Sequence, residues 1–253
     1  MQQRKDFKNL VVELIKNLVH LINKLLNKIG LDLKGYPNSD AKRRMMIMRH
    51  YKIDTLLDIG ANCGQYSKNM RKMGYNGRIV SFEPLNNAFK NLGKVSSRDK
   101  NWLINNYALG NKNMKNIINV AGNSYSSSIL KMLPKHLNSA PTSRYIAKQE
   151  IDIRTLDSIY KSFCTSKSNV MVKIDTQGYE KNVLDGADKS LKHIKIIQLE
   201  MSLVQLYENE MLFNQMINHL EKKGFQLFSL ENGFSHPKTG QLLQVDGIFV
   251  SVK

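Results

Sequence analysis

The chain has 253 residues, enough to bury a substantial core as one domain. Its 38 Lys and Arg against 21 Asp and Glu give a net charge of +17, which favours anionic partners: nucleic acid, anionic lipid, or a phosphorylated glycan or lipid carrier. Two cysteines, Cys63 and Cys164, exclude a disulfide framework and lack metal-ligand spacing, so a reducing, cytoplasmic setting is expected.

No run of ~20 uninterrupted apolar residues predicts a transmembrane helix. The start does not read as a signal peptide, because Asn17, His20, Asn23 and Lys24 interrupt every apolar stretch. Residues 6–30 instead form one helical pattern. Phe7, Leu10, Val11, Leu14, Ile15, Leu18, Ile22, Leu25, Leu26 and Ile29 recur at three- and four-residue steps, and Gly30 supplies a stop. Residues 1–30 hold six Lys/Arg and two Asp/Glu. A basic amphipathic helix of this kind can lie on an anionic membrane surface, or pack on the domain or a partner subunit. Residues 31–54 read as a helical lead-in with a Gly-Tyr-Pro-Asn turn. Its cluster Lys42, Arg43 and Arg44 is either a solvated helix face or an extension of the basic footprint.

From Thr55, strands and helices alternate. Strands are predicted at 55–59, 78–83, 102–106, 170–175, 194–200, 225–230 and 246–252, and helices at 65–73, 85–93, 178–190 and 204–223. The alternation predicts an α/β fold, a mostly parallel sheet with helices on both faces. The last two strands flank a loop with no helix, which suits an antiparallel strand at one edge. Residues 107–169 break the rhythm with short β-type segments (117–120, 149–153) and a Ser-rich stretch, Asn123–Ser128. They read as a substrate-side insertion over the C-terminal strand edge, where ligands bind in such sheets.

The stretch Thr55–Pro84 runs strand, glycine turn, helix, strand, carboxylate. The turn, Asp58-Ile59-Gly60-Ala61-Asn62-Cys63-Gly64, lets the backbone approach a ligand, and the helix from Gln65 aims its N-terminal amides there. It is not the dinucleotide fingerprint, which would need glycine at 60, 62 and 65. The spacing suits a ligand with an amino-acid tail, with Asp58 near its ammonium. Glu83, at the next strand end, can accept both hydroxyls of a ribose. S-adenosylmethionine has the ammonium, the carboxylate and the ribose.

A second cluster, VMVKIDTQGYE (170–180), ends a strand on Asp175. Further strands carry Glu200 and Asp246. With LLDIGANCGQYS (56–67), SFEP (81–84), NYALG (106–110), RTLDSI (154–159), VKIDTQGYEKNVLDGA (172–187), IQLE (197–200) and VDGIFV (245–250), the chain resembles the FkbM-type methyltransferases over about residues 45–253. Thr176-Gln177 departs from that pattern, which commonly has a small apolar residue and Glu. The resemblance implies the seven-stranded class I fold and S-adenosylmethionine-dependent O-methylation, often of sugars on polyketides, glycolipids or surface polysaccharides. It places Asp58, Gly60, Asn62 and Gly64 at the methionine end, Glu83 at the ribose, Asn106 and Ala108 beside the adenine, and Asp175 near the sulfonium.

Asp175 is the expected base or acceptor-orienting group; its other open role is to bind the cofactor ammonium and anchor the next helix. Glu180 is read as complementing a helix dipole. Glu200 is open between acceptor binding and a structural hydrogen bond, and His136 and His236 lie in loops where either could serve as a base, although both read first as surface histidines. Asp175, Glu200 and Asp246 are the set that could take Mg²⁺, which prefers oxygen ligands. A metal is not favoured, because chain spacing does not establish that they converge. The expected partner is a glycan or glycolipid acceptor at the inner face of the membrane. Nucleic acid is the competing acceptor; the charge permits it, but neither an Asn/Asp-Pro-Pro-aromatic motif nor a Pro-Cys nucleophile is present. Oligomeric state is not legible.

Overall fold

The computed structural model describes residues 2–33 and 35–252. They divide into two compact units, Met1–Arg43 and Arg44–Lys253. The first holds α1 (Gln2–Leu26), a 3₁₀ turn (Asn27–Ile29) and the start of α2 (Ser39–His50). Gly30, at φ +74°, ends the helical stretch as its sequence position predicts. Asn23 then anchors the chain beyond: its amide donates to the Leu33 carbonyl (3.0 Å) and its oxygen accepts from Leu33 N (2.6 Å). Phe7, Leu10, Leu14, Leu18, Leu21 and Leu25 of α1 are exposed. Among the described residues no helix is long and apolar enough to cross a membrane.

The second unit is built on a seven-stranded sheet of order β3-β2-β1-β7-β8-β10-β9. The strands are β1 (Thr55–Ile59), β2 (Arg78–Phe82), β3 (Trp102–Asn105), β7 (Val170–Ile174), β8 (Ile194–Ser202), β9 (Phe225–Asn232) and β10 (Gln244–Ser251). β3 through β8 pair in parallel, and β10 runs antiparallel to both β8 and β9. This is the mostly parallel α/β sheet with an antiparallel strand near its edge that the sequence predicts. β1 and β7 are buried at every position, as a central parallel strand covered on both faces requires.

Alternate residues of each strand feed two apolar layers. Leu57, Val80, Val172 and Ile197 face α6 (Leu156–Phe163), α7 (Glu180–Asp185) and α8 (Phe213–Lys222). Leu56, Ile79, Met171 and Ile196 face the second half of α2, α3 (Gln65–Lys72) and α4 (Asn86–Ser96).

Three expectations are corrected. Residues 204–212 are not helical: β8 runs on to Ser202, a loop follows, and α8 begins at Phe213. The apolar spacing there serves loop packing, with Leu206 and Tyr207 fully buried. Glu210 satisfies the loop, accepting from Tyr207 N (2.9 Å), Ser202 Oγ (2.7 Å) and Leu206 N. The helix expected over 178–190 stops at Asp185. A Cβ at Gly186 would lie 1.9 Å from the Gly110 carbonyl oxygen, so the chain passes too close to carry a side chain there.

The insertion expected over 107–169 is shorter. β4 (Ala108–Leu109), β5 (Met114–Ala121) and β6 (Tyr145–Arg154) form a second sheet of order β4-β6-β5, and a short helix, α5 (Pro134–Ser139), lies between β5 and β6. α6 then returns to the main core through Leu156, Ile159 and Tyr160. The sequence reading predicts no helix here; Thr155 Oγ1 caps the start of α6, accepting from Ser158 N at 3.2 Å.

Candidate active site

The chain moves outward from β1 to β3 and then returns to β7 on the other side of β1. At such a reversal the loops leave a crevice at the strand C-terminal ends. A cavity of about 380 Å³ lies there, within the usual range of a small-molecule site.

One end of it is the glycine turn. Gly60 (φ +77°) and Asn62 (φ +46°) both adopt left-handed backbone. A Cβ on Gly60 would sit 1.9 Å from the Asp175 carbonyl oxygen, so only glycine lets β1 and β7 deliver their ends to one point. Glu83 is buried against the turn. Its Oε2 accepts from Asn62 N (2.7 Å) and its Oε1 from Leu85 N (2.8 Å). A carboxylate offers about four lone-pair sites, so each oxygen retains one. Burial pushes the Glu83 carboxyl up to about 7. Leu85, Ala108, Ile118 and Ile129 supply an apolar wall, and the exposed Tyr125 stands at the rim, 3.3 Å from Gln65 Nε2.

Of the residues expected at the cofactor, Gly60, Asn62, Glu83, Ala108 and Asp175 line this cavity. Asp58, Gly64 and Asn106 do not. Asp58 is fully buried, and its Oδ2 accepts from Ser67 Oγ at 2.6 Å. Gly64 (φ +82°) gives way to packing, since a Cβ would meet Leu92 at 2.8 Å and Trp102 at 3.1 Å. Asn106 donates to the Glu83 carbonyl (2.9 Å), holding the strand end that presents the carboxylate.

Strand register builds the other end. Asp246 stands opposite both Glu200 and Glu231, so three carboxylates share one face of β8, β10 and β9. Two cations offset them. Lys173 Nζ lies 2.7 Å from Asp175 Oδ2, and Arg44 grips Glu231 with two donors. Amides occupy the space between. Gln177 Nε2 bridges Asp175 Oδ1 (2.8 Å) and Glu200 Oε2 (2.9 Å), and Gln244 Nε2 reaches the same Glu200 oxygen at 2.8 Å. Tyr207 Oη donates to Gln177 Oε1 at 2.7 Å. Glu180 stands in the first turn of α7, as expected for a carboxylate that complements the helix dipole, and it also accepts from Thr176 N (2.9 Å) and Gly178 N (3.3 Å), fixing the turn that carries Gln177. Among the described residues no group of three or more His, Cys, Asp or Glu is arranged to hold a metal ion.

The chain matches the family described as the Methyltransferase FkbM domain over residues 58–227. It belongs to that family, and it is a methyltransferase. An uncharacterized protein of Methanococcus vannielii is 29% identical over 153 residues, 58% of this chain and 69% of that one. Among solved structures, a Burkholderia thailandensis 1,6-didemethyltoxoflavin-N1-methyltransferase with bound S-adenosylhomocysteine covers 98% of this chain and 90% of its own, at 7% identity and a TM-score of 0.48. TehB from Haemophilus influenzae covers 86% and 63%, at 7% identity and a TM-score of 0.47. Those two likenesses concern the course of the chain alone.

The FkbM domain implies S-adenosylmethionine, and the residues present fit it. Glu83 keeps acceptor capacity for two hydroxyls, the Gly60–Asn62 turn has no side chain to obstruct a close approach, and the Ala108 wall is apolar. When bound, the cofactor supplies a methyl group carried on a positively charged sulfur. The chain's own contribution is charge and alignment. Burial alone would raise Asp175, but the Lys173 ammonium outweighs it and holds this carboxyl below its ordinary value. The pair keeps Asp175 in its charged form and makes it a weaker base than an unpaired carboxylate. Glu200 behaves oppositely: burial, then the charges of Asp175 and Asp246, push it well up. His136 is not the surface histidine expected: it is buried against Tyr207 and Phe234, while His236 caps its own loop, and neither lines the cavity.

Sequence reasoning left Tyr66, Gln177, Gln198 and Tyr207 unassigned. Only Gln177 carried a signal, as the departure from the family pattern.

Proposed function

We propose that this chain is an S-adenosylmethionine-dependent O-methyltransferase acting on a sugar hydroxyl of a surface polysaccharide, glycolipid or related glycoconjugate. The observation that carries this reading is the chemistry of the far end of the cavity. Carboxylates, amides and tyrosine hydroxyls gather there, beside the Glu83 end, and both cations are already paired. Such a wall offers acceptors and donors to a polyol and repels a phosphate-bearing group. The reading therefore disfavours nucleic acid as the acceptor, despite the overall charge of +17. Mass spectrometry of surface glycans from cells with and without the active gene tests it. Loss of one methyl increment from a sugar is expected; unchanged glycans alongside a lost RNA methyl group would overturn it.

A peripheral position at the inner face of the membrane belongs to the same reading. It is supported by α1, whose apolar side chains stand exposed on a helix of net positive charge.

A further inference from the structure

We propose that Glu200 is the catalytic base that takes the proton from the acceptor hydroxyl, with Gln177 and Gln244 as the positioning residues that aim it. The inference deepens the O-methyltransferase reading and rests on it.

The geometry separates Glu200 from Asp175. Both Asp175 oxygens are engaged, one by the Lys173 ammonium at 2.7 Å and the other by the Gln177 amide at 2.8 Å. Both amide donors to Glu200 converge on one oxygen, Oε2. No hydrogen bond among the described residues engages Oε1, although Glu200 lines the cavity. A carboxylate held by one oxygen and open at the other is oriented without being neutralised. Gln177 itself is held on three sides: Tyr207 Oη donates to its side-chain oxygen, Ser128 Oγ donates to its carbonyl (2.6 Å), and its backbone is left-handed (φ +55°). An amide suits this position because its nitrogen donates to two carboxylates at once. A carboxylate in its place would put a third negative charge between Asp175 and Glu200.

The surroundings set the base strength. Asp175 on β7, Asp246 on β10 and Glu180 at the start of α7 raise Glu200, while Lys173 on β7 lowers it. Tyr207 and Tyr66, whose hydroxyls burial keeps neutral, and the Arg44–Glu231 pair are further charged and titratable groups packed there. A base is most effective when its pKa approaches the working pH, so a raised carboxyl suits this task and the depressed Asp175 does not. As the acceptor oxygen bonds to the methyl carbon, its O–H bond breaks and the proton passes to Glu200 Oε1. The carbon–sulfur electron pair stays on sulfur, so one positive and one negative charge vanish together.

The test uses the full chain, S-adenosylmethionine tritiated on the methyl group, and an extract of cells lacking the gene, whose acceptor is unmethylated. Label is counted separately in glycan, lipid and RNA fractions. Glu200→Gln is expected to bind S-adenosylhomocysteine within about threefold of wild type in calorimetry, yet to transfer label at least about 100-fold more slowly into whichever fraction wild type labels. Wild-type transfer should rise with pH through the Glu200 ionisation, and Asp175→Asn should still rise with pH, but from a lower pH, because a charge that raises Glu200 is gone. Glu200→Asp, which keeps the charge and shortens the reach, should recover part of the rate and serves if Glu200→Gln does not fold. Transfer by Glu200→Gln within about threefold of wild type, or an unchanged pH profile in it, overturns the assignment. Label in RNA instead of glycan would overturn the acceptor reading while leaving the comparison of Glu200 variants decisive.

Discussion

Glu83 shows how much one side chain does here. Its carboxylate closes the glycine turn through Asn62 N and the strand exit through Leu85 N, and it lines the cavity. If Glu83 holds both ribose hydroxyls, as proposed, losing it would remove two charge-assisted hydrogen bonds of about 1.5–3 kcal/mol each from the bound state. Glu83→Ala should therefore weaken S-adenosylhomocysteine binding by at least about 100-fold in calorimetry; unchanged affinity would sink the ribose assignment. The residue was legible in the sequence because a carboxylate that ends a strand beside a glycine turn has few other purposes. Glu200 and Asp175 were legible as strand-end carboxylates but not in their roles. Which of them is held low and which is driven up depends on the Lys173 ammonium and the Gln177 amide, and those contacts exist only once β7 and β8 lie side by side.

Elements fared unevenly for physical reasons. The central strands were readable because a strand covered on both faces must be apolar throughout. The 204–212 loop imitated a helix because a buried loop also needs closely spaced apolar residues, and Glu210 satisfies its amides in place of an intrahelical ladder. α2 is tied to β9 by Arg44 and Glu231, both largely shielded from solvent. Breaking such a pair leaves one buried charge without its partner, so Glu231→Ala should cost about 3–5 kcal/mol, read as a fall in the denaturant midpoint. A change below about 1 kcal/mol would place the pair with ordinary surface bridges. α1 carries its own prediction. Deleting residues 1–30 should abolish sedimentation with anionic liposomes while leaving neutral liposomes unaffected, because basic residues near such a surface gain about 1 kcal/mol each. Equal sedimentation of the shortened and full chains with anionic liposomes would refute a membrane role.

At the scale of the molecule, the cavity is a concentration of buried carboxylates inside a strongly cationic protein. Burial raises Glu83 and Glu180 to about 7 and Asp246 to about 6, from ordinary values of 4.5, 4.5 and 3.8. These folded-state values lie above the unfolded ones. Their contribution to stability is therefore fully present below the unfolded values and is lost as pH rises through about 6 to 7. The protein free of cofactor should have a lower denaturant midpoint at about pH 8 than at about pH 5, and Glu83→Gln should remove part of that slope. The buried His136, lowered to about 4, works against this slope, so the variant comparison decides: an unchanged slope in Glu83→Gln would contradict the burial of Glu83. The site thus carries a stability cost at neutral pH, and a ligand that binds only the folded state offsets it.

The sequence by itself determined the sheet, the glycine turn, the strand-end carboxylate beside it and the family. Those are local properties: apolar runs of strand length, glycines where a backbone turns, and ordered motifs along the chain. Only the tertiary structure decided how the carboxylates divide their work. Asp58 and Gly64 went to support, Asp175 became an ion pair with Lys173, and Glu200 lines the cavity with its amide donors gathered on one oxygen. The physical reason is that charge and protonation depend on neighbours brought together by strand register, across separations along the chain that no motif spans.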